Sequence, residues 1–293
     1  MQKFSVKEPA PLLEFLFSRC AGMKKTSVKQ LLKYGSVRVN GQVITLHSHR
    51  LRIGDRIEIL GKKAAKTEHF KSHPDFKIIF EDDSLIVVDK PPGLLTMGTE
   101  HEKEKTLYFM LTEYQRAQSH TGRGRIFIVH RLDRDASGVL IFAKGETVKR
   151  LLQRNWRDVE KRYYAITEGL PRPKHGVIKS HLVEDKFKRV YSTQTSDPEA
   201  RLSVTHYRVL QEQERYALLD VELETGRKNQ IRVHLSEMGH PIAGDAKYGA
   251  KTDPLRRLAL HAYHLALDHP ITGETLIFRS PHPETFQRLV PHA

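Results

Sequence analysis

The feature that most limits how this chain can fold begins after residue 75. From there β-rich runs dominate: FKIIFE, LIVVDK, IFIV, GVLIFAK, YYAIT, GVIKSHLV, LSVTHYRVL, YALLDVELE and TLIFR. Helical patterning is sparse, falling around 107–118, 146–157 and 284–290. A parallel doubly wound sheet needs a long crossover, usually a helix, between consecutive strands. That regular alternation is missing, so the pattern predicts an α+β fold with a large mixed or mostly antiparallel sheet.

One stretch interrupts this apolar pattern with charge. In IFIVHRLDRDASGVLIFAKG, residues 126–145, the ionisable residues His130, Arg131, Asp133, Arg134 and Asp135 stand between two runs that look buried. Such a segment is either a solvated turn or a place where charge is brought to chemistry. An aspartate beside an arginine is either a surface ion pair or a nucleophile held ionised by its partner, and the residues alone leave both open. A hydrolase built on Ser137, His130 and an aspartate would want a G-x-S-x-G elbow, and DASGV lacks it.

Residues 11–60 read as a small separate unit. Leu12, Leu13, Phe15, Leu16 and Phe17 lie at roughly helical spacing. A second helix is expected from Ser27, with Val28, Leu31 and Leu32 on one face and Gly35 as its stop. VRVNGQVIT predicts a hairpin around Asn40-Gly41, Gly54-Asp55 a further turn, and RIEIL a closing strand. Residues 61–75 are polar, basic and aperiodic, and read as a linker to a second domain over 76–293.

The net charge is +14 over 293 residues, in a chain with ordinary globular hydrophobic content. A folded, strongly basic protein points to a polyanionic partner, nucleic acid before an anionic membrane. Cys20 is the only cysteine, which excludes an internal disulfide and a cysteine-rich zinc site and fits a reducing, cytoplasmic setting. Histidines are plentiful, but no HExxH and no cluster of ligand spacing occurs. The N-terminus does not read as a signal peptide, and no apolar run approaches the ~18–20 residues needed to span a bilayer.

HRLDRDASGVLIFAKG resembles the catalytic motif of the RluA family of pseudouridine synthases, His-Arg-Leu-Asp-x-x-Thr-Ser-Gly followed by an apolar strand and Ala-Lys. His130, Arg131, Leu132, Asp133, Ser137, Gly138, Ala143 and Lys144 match, and Ala136 stands where the family has Thr. IIFEDDSLIVVDKPPGLL resembles the family's first strand pair and Lys-Pro-x-Gly turn. KRYYAITEG resembles its Lys-x-Tyr-x-Ala segment, which assigns the active-site tyrosine to Tyr163; Tyr164 is the competitor, and on a strand the two face opposite ways. TGRKNQIRVHLSEMGHPIAGDAKYG resembles its Gly-Arg-x-His-Gln-Ile-Arg-x-His segment, with Arg232 as the active-site arginine and Asn229 in place of the usual His. Ile231, Leu235 and Met238 keep helical spacing up to Gly239, and Arg232 falls off that stripe. The first unit resembles the RNA-binding domain named after ribosomal small-subunit protein four, through SVKQLLKYG, VRVNG and the late Gly-Asp.

These resemblances imply a synthase fold with a central cleft, and isomerisation of uridine in structured RNA, ribosomal first and transfer next. Asp133 would be the essential catalytic residue, paired with Arg232. Tyr163 would lie beside the uracil and serve as a base. RNA contacts would come from Arg131, filling the vacated stack, from His130, which also orders the loop, and from Lys24, Lys25, Lys29 and Lys33. Lys144 and Lys161 would be phosphate contacts or strand-end charges. The chemistry calls for no cofactor or metal. The expected partner is RNA, with no membrane and no obligate protein partner. A non-catalytic RNA-binding protein that kept the fold is the alternative.

Overall fold

A computed structural model of the chain describes residues 2–33, 36–44, 46–59, 76–118, 124–194 and 197–291. It divides into two compact units, residues 1–77 with 111–125 and residues 78–110 with 126–293. The expected linker at 61–75 and the helix stop at Gly35 lie outside the described residues.

The first unit contains β1 (Gln2–Ser5), β2 (Ala10–Pro11), α1 (Leu12–Arg19), α2 (Lys25–Lys33), β3 (Val37–Val39), β4 (Gln42–Val43), β5 (Arg50–Leu51) and β6 (Arg56–Ile59). A sheet of order β1-β6-β3-β4 stands beside the short β2–β5 pair. Strand β1 lies before the expected start at residue 11, yet it pairs along its length with β6. Helix α2 begins at Lys25 rather than Ser27. The two-residue turn Asn40-Gly41 has φ of 52° and 84°, which suits the right-handed twist of a tight hairpin. Asn40 Nδ2 donates to Asp55 at 2.8 Å and Asn40 Oδ1 accepts from the Arg56 N–H at 2.9 Å, so the hairpin and the Gly54-Asp55 turn lock each other. Leu12, Leu16, Val28, Leu32, Val37 and Ile57 form the core of this unit.

The second unit is built on β7 (Lys77–Glu81), β8 (Leu85–Lys90), β9 (Phe127–Ile128), β10 (Ser137–Ala143), β11 (Glu160–Glu168), β12 (His175–Glu184), β13 (Val190–Thr193), β14 (Arg201–Gln213), β15 (Tyr216–Leu223), β16 (Leu260–Asp268) and β17 (Thr275–Arg279). Its helices are α4 (Glu146–Arg154), α5 (Gln230–Glu237) and α6 (Glu284–Leu289), and the division between units falls within α3 (Leu107–Gln118). The strands form one large sheet of order β13-β12-β14-β15-β11-β16-β10-β8-β7, with β17 on β16 and β9 on β10. The β10–β16 pair is parallel, while the neighbouring β8–β10 and β11–β16 pairs are antiparallel, so the sheet is mixed as its sequence predicts.

Strand β10 is buried along its whole length, as a continuous apolar run requires when both faces are covered. Helix α4 lays Val148 and Leu152, one turn apart, against Leu85, Val87, Val139 and Ile141. Each such aliphatic side chain contributes about 1.5–3 kcal/mol by leaving water. The charged segment before β10 therefore leads into a fully buried strand.

Candidate active site

Strand register brings the site together. Ala262 of β16 is paired with Tyr163 of β11 on one side and with Gly138 of β10 on the other. Gly138 has φ of 111°, and a Cβ there would stand 2.1 Å from the Ala262 carbonyl oxygen, so only glycine allows the two strands this close. The loop that enters β10 thus carries Asp133 to the level of Tyr163. Strand β15, paired with β11 at Val221–Tyr163, runs out at Leu223 and turns into α5, which delivers Arg232. Arg131, Leu132, Asp133, Tyr163, Asn229 and Arg232 line one cleft.

Arg232 is the hub. Its Nε and one terminal nitrogen hold Asp245 in a two-pronged pair at 2.7 and 2.8 Å, and its other terminal nitrogen donates to Asp133 Oδ2 at 2.9 Å and to Asn229 Oδ1 at 3.1 Å. Burial alone would lower the guanidinium pKa, but the hydrogen bonds and charge of Asp245, with Asp133 added, outweigh it and raise the pKa, so Arg232 stays charged. Asp245 is sealed, with 1% of its side chain exposed, whereas Asp133 keeps 24% open to the cleft. Arg232 is thus clamped by one carboxylate and offers a fixed donor to another. Asn229 sits at φ 54°, a left-handed position that asparagine tolerates. Gln230 anchors the helix start by donating to the Val204 carbonyl and accepting from the Arg227 N–H. His234 shares hydrogens with Thr205 and Ser180, and burial pulls its pKa down to about 4, so it packs as a neutral ring.

The two tyrosines separate as strand alternation requires. Tyr163 lines the cleft, while Tyr164 stacks on Tyr263 at 3.9 Å between ring centres. Burial, helped by the charge of Asp133, pushes the Tyr163 phenol pKa up. At neutral pH the phenol therefore keeps its proton.

The loop is stapled from below. Lys90, the lysine of the Lys-Pro-Pro-Gly turn, is fully buried and donates to the carbonyls of Pro91, Leu94 and Arg134 at 2.8–2.9 Å. Burial draws its pKa down to about 7, yet all three ammonium protons have acceptors, so the charged form is locally solvated. Thr96 hydroxyl donates to the Leu132 carbonyl at 2.8 Å. Arg131 is exposed at the cleft rim.

His130 turns away from this cleft. Its Nε2 accepts from the Ile141 N–H at 3.1 Å, its ring tilts against Trp156, and burial lowers its pKa to about 3. That geometry ties the loop to the backbone of β10 through Nε2. Ser137 bonds His261 at 2.9 Å and accepts from Arg257 at 2.7 Å, so no Ser137–His130 pair forms. Lys161 is buried against the carbonyls of Trp156 and Val159, and Lys144 pairs with Glu81 at 2.8 Å; neither is a free cation for phosphate. Lys24, Lys25 and Lys29 belong to the first unit and are exposed, and the side chain of Lys33 lies outside the described residues.

Asp245, Tyr248 and the role of Lys90 escaped the sequence reading. The only signal for the first two was a carboxylate and an aromatic ring shortly after the arginine helix. No group of metal-ligating side chains occurs among the described residues, and no helix among them is long and apolar enough to cross a membrane.

Comparison with known proteins adds a second line. A family model described as RNA pseudouridylate synthase matches residues 84–237. The chain is 32% identical over 283 residues to "Uncharacterized RNA pseudouridine synthase YhcT" of Bacillus subtilis (strain 168), spanning 94% of this chain and 92% of that protein. It is 30% identical over 283 residues to "Ribosomal large subunit pseudouridine synthase D" of Haemophilus influenzae, spanning 91% and 86%. The solved structure "Human RNA Pseudouridylate Synthase Domain Containing 4" superposes with a TM-score of 0.59 at 25% identity, covering 78% of this chain and 96% of that one.

Proposed function

This chain belongs to the RNA pseudouridylate synthase family, and we propose that it converts specific uridines of structured RNA, ribosomal RNA first, to pseudouridine with Asp133 as the essential catalytic residue. The observation that carries the reading is the Asp133 carboxylate, aimed by Arg232 at 2.9 Å and open to a cleft that Tyr163 also lines. A relative's name, ribosomal large subunit pseudouridine synthase D, supports ribosomal RNA ahead of transfer RNA.

The reaction breaks the C1′–N1 bond, turns the base and joins C1′ to C5; the C5 hydrogen leaves as a proton and N1 gains one, so atoms and electrons balance without a redox carrier. Cleavage passes through a cation-like sugar, which an ionised carboxylate stabilises or captures. Arg232 aims Asp133, and the protonated Tyr163 donates to the base. The target must leave its stack, at a cost of a few kcal/mol. Arg131 at the rim fills the vacated space. The first unit acts as an RNA-binding domain of the type named after ribosomal small-subunit protein four, in which the cations Lys24, Lys25, Lys29 and Lys33 meet phosphates. The setting is the cytoplasm.

The test is release of tritium from ribosomal RNA carrying [5-³H]uridine. Wild-type protein releases it in turnover; Asp133→Asn slows release by about a thousandfold or more while still binding RNA. Equal release by the variant would remove Asp133 from the chemistry.

A further inference from the structure

We propose that the tip of the β12–β13 hairpin, residues 184–190, is a second RNA-binding element, which stacks an unpaired base on Phe187 and neutralises adjoining phosphates with Lys186, Lys188 and Arg189. This rests on the reading of the chain as an enzyme of RNA and names the feature of RNA that the tip takes.

The tip is exposed but built. Phe187 has 77% of its surface open. A single exposed ring means little alone. Here, however, the turn beneath it is fully tied: the Asp185 carboxylate accepts from the N–H groups of Phe187 and Arg189, both at 2.8 Å, the Asp185 N–H donates to the Arg189 carbonyl at 2.8 Å, and the Lys188 N–H donates to the Asp185 carbonyl at 3.0 Å. Lys188 adopts φ 62°, a left-handed position that disfavours lysine, and Lys247 Nζ donates to its carbonyl at 2.8 Å. A strained, braced turn holds the ring outward where a relaxed loop would let it fold down.

Cations gather at the tip and around the Tyr248 ring at its root, and among the described residues the one ion pair the tip cations make is a long one, Lys188 to Glu184 at 4.0 Å. Lys186 Nζ stands 5.1 Å from the Phe187 ring centre. Arg232, Arg189 and Lys247 all lie against the Tyr248 ring, at 4.9, 5.7 and 5.7 Å from its centre. Arg232 is paired, but among the described residues Lys186, Arg189 and Lys247 form no ion pair with a carboxylate. Of the two acids of the hairpin, Asp185 is committed to the turn, and Glu184 pairs closely with Lys228 and only distantly, at 4.0 Å, with Lys188. Gathering like charges around one ring costs free energy that a polyanion recovers.

The tip is also fixed relative to the cleft. Tyr248 hydroxyl accepts from the Val190 N–H at 3.2 Å and from Asn229 Nδ2 at 2.9 Å, and Asn229 Oδ1 takes the Arg232 hydrogen bond. One tyrosine thus joins the root of the hairpin to the arginine that holds Asp133. A strand leaving the cleft meets Arg189 and Lys247, then Lys188 and Lys186, and then an aromatic face. Every base has a π-face, but only an unpaired one offers it, so the tip selects single-stranded or looped RNA over duplex.

The full chain is titrated with a labelled twelve-nucleotide oligouridylate and with a twelve-base-pair RNA duplex, at several salt concentrations. Phe187→Ala weakens oligouridylate binding about 5-fold to 100-fold and leaves duplex binding unchanged. Lys186→Gln with Lys188→Gln lowers the logarithmic salt slope on the oligomer by about 1.4. In Phe187→Trp the added emission is quenched by oligouridylate, after subtraction of the Trp156 background. Unchanged oligouridylate affinity in Phe187→Ala overturns the proposal, as does an equal loss on oligomer and duplex. These readouts need no turnover. Weaker oligomer binding by Phe187→Ala in a protein that releases no tritium from any RNA supports the tip and sinks the isomerase reading instead.

Discussion

Two aspartate–arginine pairs flank strand β11, and they have opposite characters. Asp220 on β15 is 5% exposed and saturated: Arg162 reaches both its oxygens, Tyr263 hydroxyl donates at 3.0 Å and Arg208 at 3.4 Å. Asp133 receives one arginine nitrogen and keeps 24% of its side chain open. The Asp220 pair stands beside Tyr164, its register partner, and the Asp133 pair beside Tyr163. An arginine neighbour is therefore no mark of a reactive carboxylate. What distinguishes Asp133 is an oxygen not spent on the protein, aimed by a guanidinium that a sealed acid, Asp245, already holds still. Asp220 has been used up in fastening strands together.

The largest expected effect breaks the scaffold under one pair only. Lys90→Met takes a shared donor away from three carbonyls beneath the loop and lowers stability by about 3–5 kcal/mol, read by denaturant unfolding. Tritium release by the molecules that remain folded also falls, because the Arg134 carbonyl, next to Asp133, loses one of its two donors and keeps only the Gly93 N–H; undiminished release would show that Lys90 does not position the loop. Asp220→Asn strikes the other pair. It costs about 1–3 kcal/mol by leaving Arg162 poorly compensated, and turnover per folded molecule stays at the wild-type level. A matching collapse in turnover would erase the contrast between the pairs.

Tyr163→Phe removes a donor from the cleft and slows release about tenfold to a hundredfold, whereas Tyr164→Phe keeps its stack on Tyr263 and turns over normally. The smallest effect touches the framework shared by both pairs. His234 and His261 are pushed by burial to about 4, while unfolded histidines titrate near ~6.5. Between those values the unfolded chain binds more protons, so stability falls as pH drops from ~6.5 towards 4 and is flat on this account above ~6.5. Calorimetry across that range with His261→Asn, expected to show a shallower fall, checks the sign.

Much of this was legible in the sequence, and the physical reasons differ by residue. The run GVLIFA announced a buried strand, and alternation alone put Tyr163 and Tyr164 on opposite faces. The position of Arg232 off its apolar stripe foretold that it faces a cleft. Strand β1 was hidden because four residues carry too little pattern without knowledge of β6. Asp245 was hidden because its partner is set by the path of a loop rather than by helical or strand spacing. The role of Lys90 stayed hidden, and Lys161 read as a phosphate contact or strand-end charge, because sequence does not reveal which lysines find carbonyl cages. His130 stood within the charged stretch, yet its ring serves the backbone of Ile141.

The most direct measurement maps pseudouridines across total RNA from cells that lack this gene and carry wild type, Asp133→Asn or Asp220→Asn. The account predicts at least one ribosomal RNA position that loses pseudouridine with the gene, regains it with wild type and with Asp220→Asn, and stays uridine with Asp133→Asn. Restoration by Asp133→Asn would contradict it.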